Sequence, residues 1–123
     1  MATESDDLHR IGGGSAENLR LKTREVQLEP PGISVLKASA PGEAARQIME
    51  TFADAKRLQQ AARVVGSSSV DKIRSAGFEV IAKPTRKLPN HHRIIHPEGA
   101  AGFNEDNLKK LSEVFKDTLV HES

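Results

Sequence analysis

The chain of 123 residues contains no cysteine, tryptophan or tyrosine, and its only aromatic side chains are four phenylalanines. The absence of cysteine excludes disulfides, thiolate metal sites, iron–sulfur clusters and a cysteine nucleophile. Because aromatic side chains are so few, Ile, Leu, Val and Ala must fill the interior, and the core is expected to be thin. The length predicts one domain, with room for an additional tail.

Long apolar runs are also absent. No stretch of the sequence approaches the roughly 18 residues that a membrane span needs. The polar and acidic start is not followed by the apolar segment of a secretory signal. The sequence therefore predicts a soluble, cytoplasmic protein without membrane association. A dinucleotide-binding glycine motif and a serine nucleophile elbow are missing as well, so we predict no cofactor.

Charge is nearly balanced overall but is segregated along the chain. The sequence has 18 basic and 17 acidic side chains. Residues 33–97 carry eleven of the basic and five of the acidic ones, whereas both flanking segments are acidic. Residues 80–97, VIAKPTRKLPNHHRIIHP, contain no carboxylate. Segregation of this kind usually faces a partner of opposite charge.

The N-terminal part has the composition of an arm. Gly12-Gly13-Gly14-Ser15 is typical of a flexible spacer, and Pro30-Pro31-Gly32 marks a boundary. We predict a flexible arm over residues 1–31, a compact domain over 32–120 and a tail over 121–123. Leu19 and Leu21 alternate with polar residues, so the arm could also dock as an extended strand.

The compact part predicts an α+β fold. The expected order is β-α-α-α-β-β-α, with a small, mostly antiparallel sheet of about three strands packed by three to four helices, mostly on one face. Strands are predicted near residues 33–36, 78–81 and 92–96. Helices are predicted after Ser39, near Asp54, after Ser67-Ser68-Ser69 with Ser68 as the cap, and from Asn104 to about Leu119. Gly66 is expected to end the second helix and Gly77 the third.

The strongest binding candidate is the basic loop with the strand behind it. The residues predicted to bind an anion or a partner are Lys83, Arg86, Lys87, Asn90 and Arg93. Because residues 80–97 lack Phe, Tyr and Trp, bases could stack only on histidine or arginine, and a nucleic-acid contact would be made mainly with the backbone. The sequence thus predicts a small interaction module for an acidic protein surface or a nucleic-acid backbone, possible also as a subunit of a larger assembly. Ordinary solvated surface charge is the alternative.

A catalytic alternative uses the histidines of the same region. In a small metal-independent nuclease or toxin-like effector, His91 or His92 would act as the base, His96 as the acid and Arg93 as the group that stabilises negative charge. The other interpretation is that these histidines cap and hold a loop. We predict no metal site, since His92 and His96 on one strand are roughly 13 Å apart.

The small residues at 98–102 are interpreted as a loop that leads to the last helix. The alternative is a pocket for a small anion between these residues, the loop at residues 83–90 and the N-terminus of the last helix.

Overall fold

The computed structural model describes residues 7–120. The strands are β1 (Asp7–Ile11), β2 (Gly32–Lys37), β3 (Val64–Ser69), β4 (Glu79–Ala82), β5 (His91–Ile95) and β6 (Lys116–Leu119). The helices are α1 (Thr23–Val26), α2 (Pro41–Thr51), α3 (Lys56–Ala61), α4 (Val70–Ser75) and α5 (Glu105–Glu113), with a 3₁₀ helix at Gly99–Gly102. The strands form one antiparallel sheet in the order β4-β5-β2-β1-β3-β6.

The α+β class is confirmed, but the prediction of about three strands and three to four helices is wrong. The predicted pattern omitted β1, β3 and β6. Residues 64–69 match a helix end followed by a serine cap, yet they form β3 and pair with β1 and β6. Leu119 has helical spacing from Phe115, yet α5 stops at Glu113 and Leu119 lies 80% exposed on the edge strand β6.

Apolar side chains are buried on both faces of the sheet, because strand residues alternate between faces. On one face, Ile33, Val35 and Ile94 pack with side chains of α4 and α5. On the other face, Leu36 and Val65 pack with α2. The prediction that helices cover mostly one face is therefore wrong. Each fully buried leucine or isoleucine contributes about 1.5–3 kcal/mol to folding.

The described part of the predicted arm lies against the sheet. β1 occupies a central position between β2 and β3, and the side chain of Leu19 is fully buried. Gly12, Gly13 and Gly14, which we call the glycine turn, are held tightly. The amide of Gly14 donates to Asp117 Oδ1 at 2.7 Å, and Ser112 Oγ donates to the Gly14 carbonyl at 2.7 Å. The structure therefore gives this turn an anchoring role in place of the predicted spacer role.

Several local predictions are confirmed by the hydrogen bonds at helix ends. Asn104 caps α5, because its side chain accepts from the amide of Asn107 at 2.9 Å. Gly77 follows α4 with a φ of 94°, a conformation that favours glycine. The cap of α4 is Ser69, which accepts from the amide of Lys72, so the prediction of Ser68 is wrong by one residue.

The sheet is split between its two central strands. β2 pairs with β5 along Gly32–Leu36, and β1 pairs with β3 along Asp7–Ile11. β1 and β2, however, pair with each other only through Leu8–Lys37 and His9–Leu36. Beyond these two pairs the β1–β2 pairing does not continue, and the Ser34 carbonyl of β2 accepts a hydrogen bond from the Arg10 side chain of β1 instead. This split positions the candidate site.

Candidate ligand cavity and basic loop

A cavity of about 300 Å³ lies at the split between β1 and β2. This volume is at the lower end of the range for small-molecule sites. Its polar lining comes from β1, β2, β5 and the segment after the glycine turn: His9, Arg10, Asn18, Lys22, Ser34 and His91. Among the described residues that line the cavity, none carries a carboxylate.

Arg10 is the cation at the centre of this arrangement. Its side chain is 6% exposed. Nη1 donates to the Ser34 carbonyl at 2.9 Å, and Nε and Nη2 donate to the Asn18 carbonyl at 3.2 and 2.8 Å. A guanidinium has five N–H donors, so two remain beyond these three bonds. Burial lowers the pKa of Arg10, and the negative charge of Glu25 acts in the opposite direction.

The cation of Arg10 is therefore held by neutral carbonyls. In the described part of the chain no carboxylate pairs with it. A buried charge without a carboxylate in direct contact is costly, and the carbonyl dipoles and the more distant charge of Glu25 offset only part of that cost. Chemically, the two remaining N–H groups of this guanidinium can donate to a carboxylate, sulfonate or phosphate oxygen.

The opposite part of the cavity is apolar. Ile48 and Phe52 from α2, Leu58 from α3 and Leu88 from the β4–β5 loop line it. A ligand that uses both parts would carry an anionic group on an apolar or aromatic body. Apolar walls combined with a few fixed polar groups are the usual composition of small-molecule sites.

His91 lies on the cavity side of β5. Its Nδ1 is 2.8 Å from the Lys83 carbonyl, so Nδ1 carries the hydrogen and donates it. Burial lowers the pKa of His91; the Lys83 hydrogen bond opposes this shift, while electrostatic interactions with Arg93 and His92 add to it. Through His91, the strand β5, which carries the predicted histidines, contributes to the cavity lining.

The four residues of the catalytic alternative are not brought to one point. His91 and Arg93 face one side of β5, and His92 faces the other because of strand alternation. His92 is buried with Nδ1 3.0 Å from the Asn90 carbonyl, and Arg93 donates to the Pro30 carbonyl at 3.1 Å. His96 Nδ1 accepts from the amide of Glu98 at 3.0 Å. Each side chain therefore has its own local partner.

The basic loop borders the cavity. Arg86 and Lys87 are exposed and Lys83 is half-buried. Lys87 Nζ lies 5.5 Å from the centre of the Phe52 ring, which also lines the cavity. Asn90 has a structural contact, since its Nδ2 donates to the Lys37 carbonyl at 2.7 Å and its amide pairs with Gln47. Thus one predicted binding residue, Asn90, fixes the base of the loop, and another, Lys87, lies over a ring of the cavity wall.

The pocket expected beside the last helix is not where the cavity lies. Gly102 is buried against His96, and a Cβ at this position would overlap the imidazole ring. Asn107 Nδ2 donates to the Gly102 carbonyl at 3.0 Å and closes the space further. The small residues at 98–102 therefore serve packing against the histidine ring.

His9, Arg10, Asn18 and Lys22 were missed by the sequence analysis. A signal was present for two of them, because His9 and Arg10 interrupt a short apolar run between Leu8 and Ile11. Polar residues that interrupt a buried strand need specific partners. Asn18 and Lys22 carry no comparable local signal, since their place at the cavity depends on the fold of the glycine turn.

Residues 7–120 contain no group of three or more His, Cys, Asp or Glu side chains arranged to hold a metal ion. No helix in this part of the chain has the length and apolar character needed to cross a bilayer.

Comparison of the chain with known protein families, with curated proteins and with solved structures found no match.

Proposed function

We propose that this protein binds a small organic anion in the cavity at the split between β1 and β2. The observation that carries the proposal is Arg10. It is a buried guanidinium with two N–H donors to spare, beside a cavity whose described lining includes no carboxylate. An anion in the cavity would supply a counter-charge in direct contact with the guanidinium, through charge-assisted hydrogen bonds.

The shape of the lining selects the kind of anion. Arg10 and Lys22 provide positive charge, and Phe52 with its aliphatic neighbours provides an apolar wall. An inorganic ion would satisfy only the first part, and a neutral apolar molecule only the second. The proposed ligand is therefore a carboxylate, sulfonate or phosphate attached to an aromatic or aliphatic body.

Three related small molecules test this proposal. Benzenesulfonate has both features, benzenesulfonamide lacks the charge and methanesulfonate lacks the ring. We expect benzenesulfonate to bind most tightly in a titration followed by protein NMR shifts, with the perturbed signals around the cavity. Equal affinity for benzenesulfonate and benzenesulfonamide would contradict the proposal.

Two substitutions locate the binding. Arg10→Lys retains the charge but loses the forked hydrogen bonds, and we expect it to weaken benzenesulfonate binding about tenfold or more. Lys22→Ala, at an exposed position, should weaken it by a smaller factor. Lys109→Ala on α5 removes an exposed lysine whose side chain is not part of the cavity lining, and it should leave the affinity unchanged.

A second candidate function is contact with an anionic macromolecule through the basic loop. It is favoured by one observation: within residues 7–120, none of Lys83, Arg86 and Lys87 forms an ion pair. The partner would be an acidic protein surface or a nucleic-acid backbone, in a cytoplasmic setting and with the chain as a possible subunit of an assembly. Arg93 belongs less directly to this surface, because it binds the Pro30 carbonyl.

The loop proposal has a separate test. Labelled polyglutamate and single-stranded RNA would be titrated at several salt concentrations against the wild type and the triple variant Lys83→Ala, Arg86→Ala, Lys87→Ala. Salt-dependent binding that the triple variant loses supports the loop. Binding of these polymers that is unaffected by the three substitutions rejects the loop proposal. The triple variant should still bind benzenesulfonate, because the cavity lining does not include the loop charges, and this result distinguishes the two candidate functions.

A further inference from the structure

The side chain of Asn18 binds the main chain on both sides of Gly12, in the glycine turn. Its side-chain Nδ2 donates one hydrogen to the Ile11 carbonyl at 3.1 Å and the other to the Gly13 carbonyl at 2.5 Å. An amide nitrogen has two donors, so both are used. Gly12 and Gly13 have φ values of 96° and 102°, and a Cβ on Gly12 would lie 3.0 Å from the Asn18 amide nitrogen. The turn is thus shaped around this side chain.

The same residue holds Arg10 through its main chain. The Asn18 carbonyl accepts from both Nε and Nη2 of Arg10, at 3.2 and 2.8 Å. On the other side of the split, the Ser34 carbonyl accepts from Nη1 at 2.9 Å. The guanidinium is therefore fixed between the segment that follows the turn and Ser34 of β2.

The turn is itself held from the far side by α5 and β6. Asp117 accepts from the Gly14 amide, and Ser112 donates to the Gly14 carbonyl, both at 2.7 Å. These bonds join residues that are 103 and 98 positions apart in the sequence. These bonds tie the glycine turn, which the Asn18 side chain binds, to the opposite end of the chain.

We infer that Asn18 is the positioning residue of the anion site: its side chain fixes the turn so that its carbonyl holds the Arg10 guanidinium ready for a ligand. This inference rests on the proposed function, because Arg10 is the anion-binding group of that proposal. A guanidinium that is ordered before binding loses less conformational freedom on binding, which increases affinity.

The test combines a readout of Arg10 with a readout of binding. The Arg10 Nε–H gives an NMR signal that Arg10→Lys identifies by its loss, and its hydrogen exchange with water reports the bond to Asn18. In Asn18→Ala we expect this exchange to accelerate at least tenfold and the affinity for benzenesulfonate to fall about tenfold, equivalent to about 1.4 kcal/mol. Asn18→Ser retains one donor and should give intermediate values for both, and it replaces Asn18→Ala should that variant not fold.

Asn107→Ala is the matched control. Asn107 also uses its Nδ2 to bind a main-chain carbonyl, that of Gly102, but its side chain is not part of the cavity lining. Its loss should lower the melting temperature without changing the exchange of Arg10 Nε–H or the affinity. A purely structural role of Asn18 would give the same pattern as Asn107 and would overturn the inference.

The outcomes separate this inference from the proposed function. Failure of the wild type to bind benzenesulfonate counts against the proposed function, and the exchange of Arg10 Nε–H still decides whether Asn18 positions the guanidinium. Weaker binding in Asn18→Ala with unchanged exchange would mean that Asn18 contacts the ligand directly, and the positioning role would then be rejected.

Discussion

His9 Nδ1 lies 2.8 Å from Ser67 Oγ, and its Nε2 lies 2.9 Å from the Ala38 carbonyl. A carbonyl can only accept, so Nε2 carries the hydrogen, and in the neutral imidazole Nδ1 accepts from the serine hydroxyl. The histidine side chain is 1% exposed. It therefore links β1 to β3 and to the end of β2, close to the point where β1 and β2 separate.

Removal of the serine hydroxyl tests this link. Ser67→Ala leaves the buried Nδ1 without a partner, and we expect the free energy of unfolding to fall by about 1–2 kcal/mol. The measurement is urea unfolding followed by circular dichroism. Ser75→Ala is the control, since this exposed hydroxyl donates to the Lys72 carbonyl at 2.6 Å on the surface of α4. Its effect should stay within about 0.5 kcal/mol, and equal losses would contradict a buried role for Ser67.

Two Gly→Ala substitutions should have opposite effects. In Gly14→Ala the new Cβ would overlap the side chain of Phe115, and we expect a loss of about 1–3 kcal/mol in the free energy of unfolding. In Gly42→Ala, within α2, the new Cβ meets no atom within 4 Å, and the reduced entropy of the unfolded chain should add up to about 1 kcal/mol. Urea unfolding of both variants checks the signs, and a neutral Gly14→Ala would show that the glycine turn is not packed as described.

The lowered pKa of His91 predicts acid destabilisation. The folded value lies below the value of the unfolded chain, about 6.5, so the unfolded chain binds more protons in the interval between them. The stability that depends on His91 is complete above that unfolded value and is lost as the pH falls toward the folded one. His91→Asn retains a donor for the Lys83 carbonyl but does not titrate. Its melting temperature should fall less steeply than that of the wild type between about pH 7 and pH 5, and identical slopes would contradict the prediction.

The same imidazole should make ligand binding pH-dependent. An anion in the cavity favours the protonated form of His91, so binding takes up a proton. The affinity for benzenesulfonate, whose own charge does not change, should therefore rise as the pH falls through the titration of His91. Calorimetric titration at about pH 7.5 and pH 5.5 measures this rise, and His91→Asn should abolish it. A rise that persists in the variant would assign the effect to another group.

Local signals in the sequence were sufficient to predict the helices whose ends are marked by capping residues, glycine or proline. The Asn104 cap, the glycine after α4 and the proline at the start of α2 locate those helices. β3 could not be found in this way, because Ala61, Ala62 and Val65 continue a helical stripe and serines commonly cap helices. Pairing with β1 and β6 decides its conformation, and those partners are distant in the sequence.

The candidate site was only partly predictable for the same reason. The exposure of Arg86 and Lys87 follows from local composition, and the placement of both residues agrees with it. The role of Arg10 depends on its hydrogen bonds to the Ser34 and Asn18 carbonyls at the split in the sheet. The pattern of apolar and polar residues does not indicate where two paired strands separate. His91, one of the predicted site residues, lines the cavity together with Arg10, whereas His92 and His96 are not part of its lining.

The central position of β1 also bears on how the chain acquires its fold. His9 meets a partner 58 residues away, and the glycine turn meets one 103 residues away. Closing such large loops costs entropy before any contact compensates for it, so folding is expected to be slow for a chain of this size. Until residues 64–69 pair with β1, two half-sheets would present open edges to one another, and self-association at high concentration would compete with folding.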